Sequence, residues 1–232
     1  MTNISKTTRF YWAAGVGLFL VGLFLVGQQS RAEPARIVVK ATPEQGREMV
    51  RDASMRLFRS MKEEGLNVDT NPDRLHKLID EIVFSQFDFH HISSQVLGKN
   101  WRKATPEQKE QFIEQFKAYL LHTYATALGE YDGQEIEYLP VRGKQPARII
   151  KVQTRVRLTE AAPIDIDYVL FLSREGSWKV VDVLVEGISM VVTHRSSFQM
   201  EIDQKGLSGL IVALEERNKK IAESGQLSPS RP

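Results

Sequence analysis

The 232-residue sequence contains no cysteine. Disulfide bonds, thiol catalysis and zinc sites with cysteine ligands are therefore excluded. The sequence also lacks histidines at a metal-ligand or catalytic-triad spacing, so a surface position is expected for each of His76, His90, His91, His122 and His194. An excess of one charge is missing too, because 28 basic and 29 acidic residues remain once residues 1–32 are set aside. A nucleic-acid-binding function thus has little support.

Long apolar runs are absent except at the N-terminus. Lys6 and Arg9 precede an uncharged stretch over residues 10–27, and the small residues Ser30 and Ala32 suit the −3 and −1 positions of a cleavage site. This layout predicts a secretory signal peptide over residues 1–32. An uncleaved membrane anchor is the alternative, and in both cases the rest of the chain lies outside the cytoplasm. With cleavage, the mature protein is expected in the periplasm.

The remaining chain has the composition of a globular protein, with 42% hydrophobic and 26% charged residues. Residues 33–41 are expected to form a linker and residues 42–223 one domain. Residues 224–232 have the composition of a disordered tail.

Helix-capping patterns mark the helical parts of this domain. Thr42 and Thr105 each begin a Thr-Pro-Glu-Gln sequence, which combines an N-cap, a first-turn proline and the glutamine of a capping box. Asn71 and Asp88 are further expected N-caps, and Thr193 is expected to cap a helix near the C-terminus. The pattern predicts about six or seven helices, of which the longest follows Thr105.

Alternating apolar residues predict four antiparallel strands joined by short connections, around residues 136–138, 150–158, 164–172 and 178–185. Gly187 is expected to end the last strand. Its apolar run needs cover on both faces, so helices must pack on the sheet. The predicted fold class is therefore α+β.

Several ordered segments resemble the signature of the MlaC family, which comprises periplasmic phospholipid-binding proteins also known as toluene-tolerance proteins. The resemblance covers about residues 43–215. It rests on Asp88-Phe89, Val96-Leu97-Gly98, Trp101-Arg102, Trp178 to Val183, Glu186 to Met190, Arg195 and Phe198.

The resemblance implies a curved, nuclear-transport-factor-like sheet clasped by helices around a deep apolar pocket. It implies a phospholipid ligand, no other cofactor, no enzymatic activity and a monomeric carrier that maintains outer-membrane lipid asymmetry. The implied partners are an inner-membrane ABC transporter complex with an MCE-domain subunit and an outer-membrane lipoprotein–porin complex. Because such a pocket buries the acyl chains and leaves the headgroup in solvent, it is expected to select chains more than headgroups.

Apolar residues on the longest helix and on the strands are the candidates for the pocket wall: Phe116, Leu120, Tyr124, Leu128, Val169, Phe171, Val181, Val183 and Met190. A basic row on the second strand is the candidate for partner docking: Lys151, Arg155 and Arg157.

Two other functions fit the same sequence. Asp165, Asp167, Asp182 and Glu186 offer an acid/base pair for an isomerase-like enzyme, although Asp182 and Glu186 are better explained as hydrogen-bond partners at the strand end. A periplasmic adaptor that binds another hydrophobic ligand is the third alternative.

Overall fold

The computed structural model describes residues 41–66, 71–129, 131, 133–141, 147–158 and 161–224. The predicted signal peptide, residues 33–40 of the predicted linker and residues 225–232 lie outside this range. Within the described residues, no helix is both long enough and apolar enough to cross a bilayer.

Capping side chains begin the helices where the sequence predicts them. Thr42 and Gln45 form a capping box at the start of α1 (Pro43–Glu64). Asn71 caps α2 (Pro72–Leu78), and Asp88 caps α3 (Phe89–Leu97). Before α4 (Pro106–Gly129), the Thr105 N–H donates to the Gln108 side-chain oxygen at 3.0 Å, and the Gln108 N–H donates to the Thr105 hydroxyl at 3.2 Å. Because these caps satisfy free backbone N–H groups locally, short sequence patterns suffice to predict them.

The sheet contains five antiparallel strands in the described residues, in the order β1 to β5, rather than the predicted four. The strands are β1 (Ile136–Tyr138), β2 (Ile149–Val156), β3 (Ile164–Leu172), β4 (Trp178–Val185) and β5 (Ile188–Ser189). Glu186 and Gly187 have positive φ angles of 51° and 79° and connect β4 to β5 as a two-residue turn. Gly187 therefore reverses the chain into a hairpin instead of ending the sheet.

The last helix also differs from its prediction. Helix α5 (Met190–Ser224) begins directly after β5 and is kinked at Gly206, whose φ is 72°. Ser189 rather than Thr193 is the cap, because the Ser189 hydroxyl accepts a hydrogen bond from the Val192 N–H at 3.1 Å. The described residues thus contain five α-helices instead of the predicted six or seven, and Gly206, with φ of 72° and ψ of 174°, divides α5 into two helical segments.

A β-bulge interrupts the pairing of β3 with β4. Val169 pairs with Asp182, whereas the next residue, Leu170, pairs with Val180, so Val181 is the extra residue. A bulge shifts the alternation of side chains by one position. Val180 and Val183 consequently lie on the same face of the sheet.

Helix α1 packs on this inner face of the sheet at very short range. A Cβ atom added at Gly46 would lie 2.5 Å from Cδ1 of Ile150 and 3.3 Å from Cγ of Trp178. The Trp178 indole N–H also donates to the Thr42 carbonyl at 2.8 Å, which holds the start of α1 on β4. Glycine at position 46 allows the helix and the sheet to approach this closely.

The buried side chains form three separate clusters. The helical core is built by α3, α4 and α5, from Ile92, Val96, Leu97, Phe112, Phe116, Leu120, Val191, Phe198, Leu210, Ile211 and Leu214. The sheet core joins α1 to the inner face, with Val50, Ile150, Val152, Leu170, Leu172, Trp178 and Val180. The α1–α2 core consists of Leu57, Met61, Leu75, Leu78, Ile79, Ile82 and Ala125.

Candidate functional site

The inner face of the sheet is covered unevenly. Val152, Leu170 and Val180 are at most 2% exposed, and Thr154 is 3% exposed. At the C-terminal end of β4, Tyr168 pairs with Val183 and Ile166 pairs with Val185, so these four side chains share the same face. Tyr168, Val183 and Ile166 are only half-buried, and Val185 is 39% exposed. This end therefore presents apolar surface that the described side chains do not fully cover.

Half-buried apolar side chains also lie at the edges of all three clusters. Tyr124 and Met190 pack against the helical core, Val183 against the sheet core and Leu128 against the α1–α2 core. The buried residues of the three clusters are not joined into one contiguous core, and each cluster has half-buried apolar side chains at its edge. Half-buried apolar side chains of this kind are typical of the lining of a ligand pocket.

Three phenylalanines join the clusters. Phe84 contacts both the helical core and the α1–α2 core, whereas Phe87 contacts both the helical core and the sheet core. Their ring centroids lie 5.6 Å apart, and each lies within 5.8 Å of the Phe89 ring. The segment between α2 and α3 therefore supplies an aromatic junction at the meeting point of the three clusters.

Tyr168 is the polar exception on the inner face. Burial raises the pKa of its hydroxyl well above the usual value. Among the described residues the hydroxyl has no hydrogen-bond partner, although the ring packs against the sheet core. A phenol in this position is a potential hydrogen-bond donor to a ligand in the interior.

The structure separates the predicted pocket residues. Tyr124, Leu128, Val183 and Met190 lie at the half-buried borders of the clusters, whereas Val181 is buried in the bulge.

Phe116 and Leu120 belong instead to the helical core, where they are 1% and 7% exposed. The Phe116 ring packs edge to face against Phe198 at 5.6 Å. Their place in the pocket wall stays a prediction, and the structure shows both side chains packed against neighbouring helices.

Val169 and Phe171 do not share a face with Val183, so their predicted place beside it in the pocket wall is corrected. They alternate with Tyr168 and Leu170 along β3, so they lie on the outer face of the sheet. Phe171 contacts His91 of α3 at 5.4 Å and the Arg148 guanidinium at 5.7 Å. Regular alternation along β3 and β4 would put these residues on the same face as Val183. The bulge in β4 shifts Val183 to the other face, and no local sequence pattern marks the bulge.

A second concave region, the α1–β1 cleft, lies between α1 and β1 and has a volume of about 710 Å³. Its lining residues are Arg47, Arg51, Met55, Phe58, Arg59, Tyr131, Gly133, Gln134, Glu135, Ile136 and Tyr138. Phe58 and Tyr131 stack at 3.6 Å between ring centroids, and the Tyr131 hydroxyl donates to the Gln134 carbonyl. This volume is within the range of about 300–1,000 Å³ typical of ligand sites.

Sequence reasoning missed the arginines of this cleft. Arg47, Arg51, Met55 and Arg59 recur every fourth residue and so lie along one face of α1. That spacing was a visible signal, but only the structure brings this face opposite β1. The Arg47 side chain also ties the two elements together, because Nη1 donates to the Tyr138 carbonyl at 3.5 Å.

The predicted docking row lies on the outer face of the sheet, and acidic residues pair with all three of its members. The Lys151 ammonium lies 3.0 Å from Asp167, the Arg155 guanidinium 2.7 Å from Asp165 and the Arg157 guanidinium 3.1 Å from Glu137. The Arg155 guanidinium holds the pKa of the Asp165 carboxyl below its usual range. The surface thus alternates charges instead of presenting a purely basic stripe.

The carboxylates considered for acid/base chemistry have structural partners. Asp182 accepts hydrogen bonds from the Ser189 hydroxyl at 2.5 Å and from the Val191 N–H at 3.1 Å. Glu186 accepts from the Asp165 N–H at 2.6 Å. The prediction that Asp182 and Glu186 stabilise the strand end and its turn is confirmed.

The histidines are less exposed than predicted. His194 is 7% exposed among aromatic rings, including Phe116 at 5.4 Å, and burial lowers its pKa to about 4. His76 and His122 are half-buried with ring centroids 5.2 Å apart, and burial lowers the pKa of both. His90 alone matches the expected surface position fully. No group of three or more metal-ligating side chains occurs in the part of the chain that the structure describes.

Comparisons with known proteins agree with this geometry. Residues 51–216 match the family model described as MlaC protein. The chain is 29% identical over 176 residues to the toluene tolerance protein ttg2D of Pseudomonas putida, an alignment that covers 75% of this chain and 80% of that protein. It is 22% identical over 202 residues to the intermembrane phospholipid transport system binding protein MlaC of Haemophilus influenzae, covering 85% and 89% of the two chains.

A solved structure is also similar. The phospholipid-binding protein of Ralstonia solanacearum, determined in complex with a phospholipid, is 29% identical and superposes with a TM-score of 0.71. The match covers 76% of this chain and 98% of that chain.

Fold and site together define an α+β protein in which an antiparallel sheet and its helices enclose apolar clusters with half-buried edges. With its family match over residues 51–216, the chain belongs to the MlaC family. The resemblance inferred from the sequence motifs is thereby confirmed.

Proposed function

We propose that this protein is a periplasmic phospholipid carrier whose acyl-chain site is the interior between the sheet and the helices. The observation that carries the proposal is the incompletely covered inner face around Tyr168 and Val183, together with half-buried apolar residues at the edges of the three clusters. Membership of the MlaC family and the similarity to a structure solved with a phospholipid support the same ligand class.

The energy of exposed acyl chains explains why such a carrier is needed. The transfer of two acyl chains with about 30 methylene groups into water costs a free energy on the order of 20 kcal/mol, at ~0.8 kcal/mol for each methylene group. A protein that buries most of this surface removes most of the barrier to moving a lipid across an aqueous compartment. Tyr124, Leu128, Val183 and Met190 are the proposed contacts to the chains.

We assign the carrier to the space between two membrane complexes. The proposed partners are an inner-membrane MCE-domain ABC transporter complex and an outer-membrane lipoprotein–porin complex, as the family resemblance implies. Lys151, Arg155 and Arg157 are the proposed docking residues. Because acidic residues compensate each of them, the expected partner surface carries charges of both signs, and the effect on association is expected to be modest.

The direct test is the identification of co-purified ligand. Protein from cells that express the full-length chain is extracted with organic solvent, and the extract is analysed by mass spectrometry. After detergent-free purification, we expect the amount of extracted phospholipid to be comparable to the amount of protein. Recovery of no lipid, together with failure to take up phospholipid from vesicles, would contradict the proposal.

A further inference from the structure

The α1–β1 cleft lies between two of the apolar clusters. Phe58 on one side packs against the α1–α2 core, and Tyr138 on the other packs against the sheet core. Met55 is 45% exposed at its edge. A ligand whose polar end lies in this cleft can therefore direct an apolar end inward between the two cores.

The cleft carries a local excess of positive charge. Three of its lining residues are arginines, and Glu135 is the only acidic residue that lines it among the described residues. Glu135 is itself paired with Arg157, at 3.6 Å between guanidinium and carboxylate. Among the described residues, the lining of the cleft therefore contains more basic than acidic side chains.

The three arginines differ in how far they are already occupied. Arg47 pairs with Glu44 and Glu48 and also contacts the Tyr138 carbonyl. Arg51 has a single, longer ion pair of 3.6 Å to Glu48. None of the hydrogen bonds and ion pairs between described residues includes Arg59. Arg51 and Arg59 are thus the side chains with donor groups available to a ligand.

We infer that Arg51 and Arg59 bind a phosphate group in the α1–β1 cleft, and, resting on the proposed function, that this is the phosphate of the bound phospholipid. The two residues lie two helical turns apart, about 12 Å along the axis of α1. Their long side chains can converge on one anion between them. A guanidinium matches a phosphate with two parallel N–H donors, so such contacts add both affinity and geometric specificity.

A phosphate site in the cleft changes the expected lipid selectivity of the protein. An apolar pocket with its headgroup free in solvent selects chains alone, as the sequence led us to expect. With two arginines at the cleft, the protein also distinguishes phosphate-bearing lipids from uncharged lipids that have the same chains. Arg47, held by its own acidic partners, serves mainly to position β1 beside α1.

The test compares two lipids that have the same acyl chains and differ in the phosphoglycerol headgroup. Binding of fluorescent dioleoylphosphatidylglycerol and dioleoylglycerol is measured for the full chain and for the double variant Arg51→Gln/Arg59→Gln. We expect the double variant to bind the phospholipid about 10- to 100-fold more weakly and dioleoylglycerol unchanged. Arg56→Gln is the matched control, since Arg56 is exposed on the same helix and does not line the cleft. It should leave both affinities unchanged.

Inorganic phosphate as a competitor separates the two sources of the anion. If inorganic phosphate displaces the phospholipid from the wild type but not from the double variant, the site also binds free phosphate. If inorganic phosphate displaces no phospholipid, the site binds only phosphate that is carried by a lipid. The inference is overturned if the double variant keeps the phospholipid affinity of the wild type, or if its affinities for both lipids decrease equally. It is also overturned if inorganic phosphate displaces the phospholipid equally from both proteins. Failure of the wild-type protein to bind either lipid would instead refute the proposed function, on which the inference depends.

Discussion

A charge introduced at Leu128 tests whether this part of α4 faces an interior ligand or a packed core. Leu128 is half-buried at the edge of the α1–α2 core, near the C-terminal end of α4. In a close-packed core, an uncompensated carboxylate costs several kcal/mol, which is comparable to the roughly 5–15 kcal/mol that stabilise a whole domain. In a ligand site, the carboxylate gains access to water once the lipid has left. We therefore expect Leu128→Asp to fold.

The same carboxylate acts strongly against the lipid. With chains in place it would be desolvated against hydrocarbon at a cost of several kcal/mol, enough to lower lipid affinity by a thousandfold or more, since every ~1.4 kcal/mol is a factor of ten. Circular dichroism melts report folding, and extraction with mass spectrometry reports bound lipid. Val183→Arg, on the sheet side of the interior, is expected to behave in the same way.

Leu120 supplies the matched control on the same helix. It lies two turns before Leu128 but is 7% exposed within the helical core, next to Phe116. Leu120→Asp should therefore fail to fold or lose its cooperative melt. The reasoning is refuted if Leu128→Asp unfolds, if it folds and retains its lipid, or if Leu120→Asp folds as well as the wild type.

Two further predictions concern pH and docking. Burial lowers the pKa of His194 from 6.5 to about 4, so the folded state disfavours the proton that the unfolded state accepts. His194 should therefore leave the free energy of unfolding unchanged above about pH 6.5 and lower it by about 3 kcal/mol between pH 6.5 and 4. Urea unfolding of His194→Leu should show no such decrease. Equal pH dependence in the wild type and the variant would exclude His194 as its source. Reversing the charges of Lys151, Arg155 and Arg157 should slow lipid exchange with the inner-membrane partner and reduce its salt dependence, in protein shown to be folded. Unchanged exchange at low salt would remove this row as a docking site.

The helix starts and most of the strands could be predicted from the sequence because their signals are local. Thr42 and Thr105 bond to backbone groups three residues away, so a four-residue pattern contains the whole interaction. The alternation in β2 likewise reports one buried and one exposed face without knowledge of its neighbours. The family motifs also predicted a phospholipid ligand, because they combine many such local signals in a fixed order.

The division between packed core and candidate ligand wall depended on tertiary structure. Leu120 and Leu128 are equally apolar in sequence, and only the neighbouring helices decide that the first is enclosed and the second is not. The bulge at Val181 moved Val183 to the inner face through pairing with β3, which no period within β4 records.

Charge compensation is equally non-local. Arg155 and Asp165 lie ten residues apart in sequence, and their contact exists only because β2 and β3 pair in this register. Arg59, in contrast, meets no acidic side chain among the described residues. A sequence specifies how many charges a protein carries, but their pairing depends on distances between elements, and electrostatic interaction energies fall with distance.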